Sequence, residues 1–145
     1  MSKLYSKFKT NSNNEVEGVY LDLGFCRIRV ARAGGSNVEF QIKSERFARA
    51  NKVSIDTGAL SGTLLERRLM ATLYAETLVK SWETKNEKGE WVSGVENEAG
   101  ELLPVTLENV VNTFVELPDL LLAVLSVAND RELYMQSLVE NAIKK

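Results

Sequence analysis

Apolar residues recur along this chain with different periods, and the changes of period divide it into segments. From Thr63 to Trp82 (TLLERRLMATLYAETLVKSW) neither Gly nor Pro interrupts a helical spacing. At roughly 100° per residue, Leu64, Ala71, Ala75, Leu78, Val79 and Trp82 share one broad face. Leu69 and Leu73 widen it on one side, Met70 and Tyr74 on the other. A helix apolar on so much of its circumference is predicted to be central and covered on several sides. Thr63 is its expected N-cap, Trp82 its expected end, and Glu76 and Lys80 are spaced for an i,i+4 ion pair.

Ahead of this helix the period is two. Val16–Leu23 and Phe25–Arg32 alternate polar and apolar positions and meet at Gly24, which predicts a tight β-hairpin. Cys26, Ile28 and Val30 then face the core, and Arg27 and Arg29 face out. Gly34-Gly35 permits a positive-φ turn. Ser36 with Glu39 makes a capping-box pattern for a helix from about Asn37 to Ala50, anchored thinly by Phe40, Ile42 and Phe47. Asn51–Gly62 reads as a connector. Residues 1–14 are polar and end in a Thr-Asn-Ser-Asn-Asn cluster, which predicts a flexible arm before a single globular domain over 15–145.

Beyond Trp82 the turn Asn86-Glu87-Lys88-Gly89-Glu90 repeats, eleven residues on, as Asn97-Glu98-Ala99-Gly100-Glu101. Trp91–Val95 and Glu101–Val105 are the expected strands of a small second hairpin, although Gly94 interrupts the first. Thr106 caps a helix over Leu107–Glu116. Pro118 and Asp119 open a last helix that the pattern carries to about Ile143, with a bend near Asn129-Asp130. Its first half (LLLAVLSVA) is apolar all round, and its second half carries Leu133, Leu138 and Val139. The fold class is α+β, mainly α-helical: an N-terminal β-hairpin, then about four helices, with a small second hairpin between the long central helix and the last two.

At 145 residues, 44% apolar and 26% charged, the composition is that of one soluble globular domain. A formal net charge of −2 offers no electrostatic case for nucleic acid, although the arginines concentrate before residue 70. The single Cys26 rules out an intrachain disulfide and fits a reducing compartment. No apolar run follows Met1, and the longest, Leu120–Leu125, is far below the ~20 residues that span a bilayer. These features predict a cytoplasmic protein with no membrane partner.

The chain has no histidine, which removes the commonest general base and the commonest zinc ligand. One cysteine cannot build a thiolate metal site within the chain, and on strand alternation Cys26 is a core residue. Gly34-Gly35-Ser36 at a helix start resembles an anion cradle but lacks the spacing and lysine of a phosphate loop, so a turn with an N-cap is the simpler reading. Asp22, Glu76, Glu96 and Glu108 show no spacing that pairs two of them for acid–base work. No enzyme, metal or cofactor is predicted. What the chain has in excess is apolar surface: the central and last helices, with Tyr5, Phe8 and Trp91, carry more than one neighbour covers. That excess suits either a well-covered core or an interaction surface.

Several stretches resemble one family. Arg29-Val30-Ala31-Arg32-Ala33-Gly34-Gly35, followed by Asn37 and Phe40, is similar to a motif of tail assembly chaperones of long-tailed (siphovirus-type) bacteriophages. So are Tyr74–Val79 through Trp82, the Leu103-Pro104-Val105-Thr106 turn with Glu108-Asn109, and Phe114 through Leu117-Pro118-Asp119-Leu120. The opening Leu4–Asn11 also resembles that family's start. Two departures stand out: Asn51–Ser61 lacks the expected basic run, and Trp82–Leu103 is longer than in typical relatives. The resemblance implies a non-enzymatic protein of the host cell cytoplasm, absent from the finished virion and homo-oligomeric. Such a protein binds the phage tape-measure protein, keeps it soluble and promotes tail-tube polymerisation around it. A frameshifted longer form often recruits the tail-tube protein. On that reading the expected partner contacts are Leu121, Leu125, Leu133 and Tyr134 of the last helix, with Tyr5 and Phe8 beside them and Arg29 and Arg32 as a polar rim. The alternative is a structural minor tail or neck protein of the particle.

Overall fold

Two antiparallel sheets and a set of mostly short helices share one apolar core in the computed structural model, which describes residues 2–135. The fold is α+β with an N-terminal hairpin, as the spacing predicts. Strands β1 (Val19–Asp22) and β2 (Cys26–Val30) pair with Leu21 opposite Ile28, and Asp22 accepts the Gly24 N–H at 2.8 Å to close the turn. Cys26, Ile28 and Val30 are buried, as alternation requires.

Residues expected as a loop, together with Val16 and Glu17 expected at the start of the first strand, form two short helices instead, α1 (Lys3–Phe8) and α2 (Ser12–Glu17), so that the strand begins only at Val19. The signal lies in their caps. Ser2 accepts the Leu4 and Tyr5 N–H groups, and Asn11 accepts that of Asn14, so residues that look like loop formers serve as N-caps.

Helix α3 (Val38–Ala50) starts one residue later than predicted and buries none of its side chains. Its N-cap is Asn37 rather than Ser36, and the expected capping box with Glu39 does not form. A short helix α4 (Lys52–Asp56) occupies the expected connector. Thr63 does cap helix α5 (Leu64–Leu78), accepting the Glu66 N–H at 3.0 Å.

The main correction concerns the end of that helix. It stops at Leu78, and the chain enters strand β3 (Val79–Lys85) with no loop between them. Two of the helix's terminal carbonyls find partners outside it: the Ala31 N–H donates to Leu78 O at 2.7 Å, and Asn37 Nδ2 donates to Thr77 O at 3.0 Å. Trp82 therefore sits on a strand, opposite Ile28, with a bulge between Arg29 and Val30. The predicted Glu76–Lys80 pair does not form. Glu76 pairs with Lys43 at 2.7 Å, and Lys80 approaches Glu39 at 3.9 Å.

The repeated turns close two successive hairpins where one was expected. Strand β4 (Trp91–Ser93) returns along β3, completing the order β1-β2-β3-β4, and β5 (Val95–Glu96) pairs with β6 (Leu102–Leu103). In each turn an Asn side chain accepts the N–H of the Glu four residues on, Asn86 from Glu90 at 2.9 Å and Asn97 from Glu101 at 2.8 Å. Gly94 is the kink between them. A Cβ there would lie 2.3 Å from Leu102 Cγ, so the leucine packs on bare backbone.

Helix α6 (Leu107–Glu116) follows its Thr106 cap as predicted. Helix α7 (Pro118–Ala128) turns away from it by 109°. The last helix is shorter than predicted: Asn129 ends it, and a 3₁₀ turn over Arg131–Tyr134 follows. Leu138, Val139 and Ile143 lie outside the described residues. The core joins Ile28 and Val30 of β2, Ala71, Ala75 and Leu78 of α5, Trp82, Val95, Val110, Val111 and Phe114 of α6, and Val124 and Ala128 of α7. Trp82 and Phe114 pack with their rings tilted by 36° and their centroids 5.9 Å apart. Fully burying a side chain of this size contributes about 1.5–3 kcal/mol.

Candidate functional site

Two places carry unusual chemistry. The first is where β2 runs out into Ala31–Asn37. Glu15 of α2 is 2% exposed, and its carboxylate takes hydrogen bonds from Arg32 Nη1 and, at 3.3 Å, from the Ser36 N–H. The Arg32 N–H also donates to the Glu15 carbonyl at 2.9 Å. Burial alone would raise the Glu15 carboxyl, but the hydrogen bonds from Arg32 and Ser36 outweigh it, and its pKa falls below the ordinary 4.5. The Gly34-Gly35-Ser36 loop thus cradles an anion supplied by the chain itself. Gly35 has φ 54°, and a Cβ on it would lie 1.9 Å from Glu15 Oε2.

Further bonds gather on the same segment. Asn37 Nδ2 donates to Arg32 O at 2.9 Å as well as to Thr77 O, and the Ala33 N–H donates to Ala128 O at 2.9 Å. Tyr134 Oη donates to Val30 O at 2.9 Å, and the Asn11 N–H donates to Tyr134 O at 2.7 Å. Burial pushes the Tyr134 phenol well above its ordinary value, so it stays protonated and keeps donating. This clasp ties α2, β2, α5, α7 and the 3₁₀ turn together. Its polar groups are directed at one another, which is structural rather than catalytic work.

The second place is an open groove of about 710 Å³. Its floor is Cys26, Trp82 and Thr84 of the sheet. Leu23 and Phe25 enter from the β1–β2 turn, Leu103 from β6, and Asn109, Asn112, Thr113, Leu117 and Leu120 from α6 and α7. Phe25 is 65% exposed and Leu117 53%. Glu96, Asn97, Glu98 and Glu116 complete the lining. Cys26 offers no nucleophile here: burial first, then Glu96 and Asp22, push its thiol up and hold it protonated. Among the described residues, no group of three or more Cys, Asp or Glu side chains is arranged to hold a metal ion. A pocket of this size with a mainly apolar lining suits a few apolar side chains of a partner.

The residues expected as partner contacts are dispersed. Tyr134 is a correction: it is fully buried in the clasp, because the helix that was to display it ends at Ala128. Arg32 is likewise tied to Glu15 instead of forming a rim. Leu121 and Leu125 are half-buried against the core, and Leu133 is exposed. Tyr5 and Phe8 are exposed on α1, with the Arg131 guanidinium 4.9 Å from the Phe8 ring, at the end of the molecule where Thr10 bridges Met135. Arg29 lies on the outer face of the sheet, stacked on Tyr20 at 4.8 Å. None of these eight lines the groove. One signal for it is present in the sequence, since Leu23 and Phe25 flank Gly24 in a turn, where large apolar side chains have no core to enter.

Comparison with protein-family models, curated proteins and solved structures found no match.

Proposed function

We propose that this chain is a tail assembly chaperone of a long-tailed bacteriophage, and that it holds apolar helical segments of the tape-measure protein in the groove between the sheet and α6–α7. One observation carries the reading. Three of the four internal stretches that resemble that family converge on the groove: Trp82 from the first, Leu103 and Asn109 from the second, and Glu116, Leu117 and Leu120 from the third. The fourth, Arg29–Asn37, builds the clasp that holds α7 in place. An apolar groove receives a helix through anchors at i, i+3 or i+4, and i+7. A shallow site with a few such anchors binds modestly, which suits a chaperone that must release its client when the tube closes around it. The proposed setting is the host cytoplasm, with the tail-tube protein recruited through a longer product of the same gene.

Co-expression with the tape-measure protein of the same genome tests this. Wild type keeps that protein in the soluble fraction, and Phe25→Asp and Leu117→Asp do not. Equal solubility with and without the chain sinks the proposal. Mass spectrometry of purified virions separates it from a minor tail or neck protein, which would be present at a fixed copy number.

A further inference from the structure

We infer that the groove selects segments whose apolar stripe is flanked by Lys or Arg; the inference rests on the groove being the chaperone's binding site. The lining carries charge of one sign only. Glu96 and Glu98 come from β5 and the turn after it, Glu116 ends α6, and no Lys or Arg is among the lining residues. Among the described residues none of these three carboxylates is in an ion pair. The last turn of α6 holds no basic residue of its own. Arg67 reaches the Val115 carbonyl from α5 but lies outside the lining.

Arg68 of α5 also reaches the α6 wall, donating from Nη1 to Asn112 Oδ1 at 3.2 Å, while the sheet's own cations stand elsewhere. Arg27 packs over Trp91 at 4.3 Å and Tyr20 at 4.8 Å, Arg29 over Tyr20, and Lys85 over Trp91 at 5.0 Å, all on the outer face of the four-stranded sheet. One surface thus repels a basic segment while the groove attracts it. Carboxylates at the edge of an apolar cleft focus the field more strongly than they would on an open surface. The occupant that fits is a helix with two or three apolar anchors in the floor and cationic side chains reaching the glutamates. An uncharged apolar helix fills the floor equally well, so the carboxylates set which segment is chosen.

Two labelled synthetic peptides test this by fluorescence anisotropy against the full chain at low salt. Both carry Leu at i, i+3, i+4 and i+7, one flanked by Lys and the other by Glu. The Lys peptide is expected to bind on the order of tenfold more tightly. The preference is expected to vanish in the triple variant Glu96→Gln, Glu98→Gln, Glu116→Gln, and at about 0.5 M salt. Equal affinities, binding of neither peptide, or a preference that survives in the triple variant overturns the inference. Self-association of wild type that the triple variant loses also overturns it, by making a second copy the occupant. Retention of the tape-measure protein is measured in parallel. Retention by wild type and triple variant alike defeats the charge inference and leaves the chaperone reading standing. Retention by neither defeats the chaperone reading, while the peptide ratio still decides the question of charge.

Discussion

The clasp around Glu15 and the groove beside Phe25 treat their side chains in opposite ways. In the clasp a carboxylate, a carboxamide and a phenol are taken out of water, a half-buried guanidinium joins them, and each has a partner within the chain. In the groove three large apolar side chains, Leu23, Phe25 and Leu117, stay in water, and three carboxylates have no ion-pair partner among the described residues. Interior polar groups cost free energy unless they are bonded, so the clasp closes on itself. Exposed apolar surface costs free energy until something covers it, which is why the groove is the place where a partner is proposed to bind. The difference predicts that damage to the first shows in stability and damage to the second in binding.

The sharpest test is within the clasp loop. Gly35→Ala places a methyl group against the Glu15 carboxylate at a left-handed φ, and is expected to lower unfolding free energy by roughly 3–5 kcal/mol. Gly34→Ala, with φ 133° and open space around its Cβ position, is expected to lose only about 1 kcal/mol of backbone strain. Urea denaturation compares them, and equal losses would mean that the cradle contributes nothing beyond its turn.

Glu15→Gln comes next, at roughly 2 kcal/mol at neutral pH, because it leaves Arg32 without its counter-ion. Its pH dependence has a definite sign. The folded carboxyl lies below its ordinary 4.5, so its contribution is fully present above that value and is lost as pH falls through the lowered folded value. Acid titration of stability is expected to be steeper for wild type than for Glu15→Gln below pH 4.5; parallel curves contradict the pairing. Tyr134→Phe removes one buried hydrogen bond and is expected to cost about 1 kcal/mol, read as a shift in thermal midpoint. At the other extreme, Phe25→Ser is expected to leave stability within about 0.5 kcal/mol and still abolish retention of the tape-measure protein. A large stability loss there would place Phe25 in the core and remove the contrast.

Much of the architecture is legible in the pattern of residues. The alternation around Gly24, the Thr63 and Thr106 caps and the Pro118 start each have one local cause, and each appears where that cause puts it. The end of α5 was not legible for the opposite reason. Thr77–Lys85 contains no breaker, and Trp82 satisfies both a helical face and a strand face, so only β2's need for a neighbour decides between them. Ser81, Glu83 and Lys85 alternating with Trp82 and Thr84 were the available sign. The clasp was hidden because its partners, Glu15, Arg32 and Tyr134, are far apart in sequence. Tyr134, on an extrapolated helix, looked like surface. The groove was hidden because it belongs to no single element and forms only once the β1–β2 turn, β6 and the α6–α7 corner are brought together.

The direct passage from Leu78 into Val79 also bears on how a chain like this can change length. A residue inserted at that seam would turn α5 by about 100° against the sheet or exchange the two faces of β3, carrying Trp82 out of the interior. The turns at Asn86–Glu90 and Asn97–Glu101 have no such constraint, since their Asn caps rebuild the same loop in each copy. Insertions are therefore better absorbed by the turns between Trp82 and Leu103 than at the Leu78–Val79 seam.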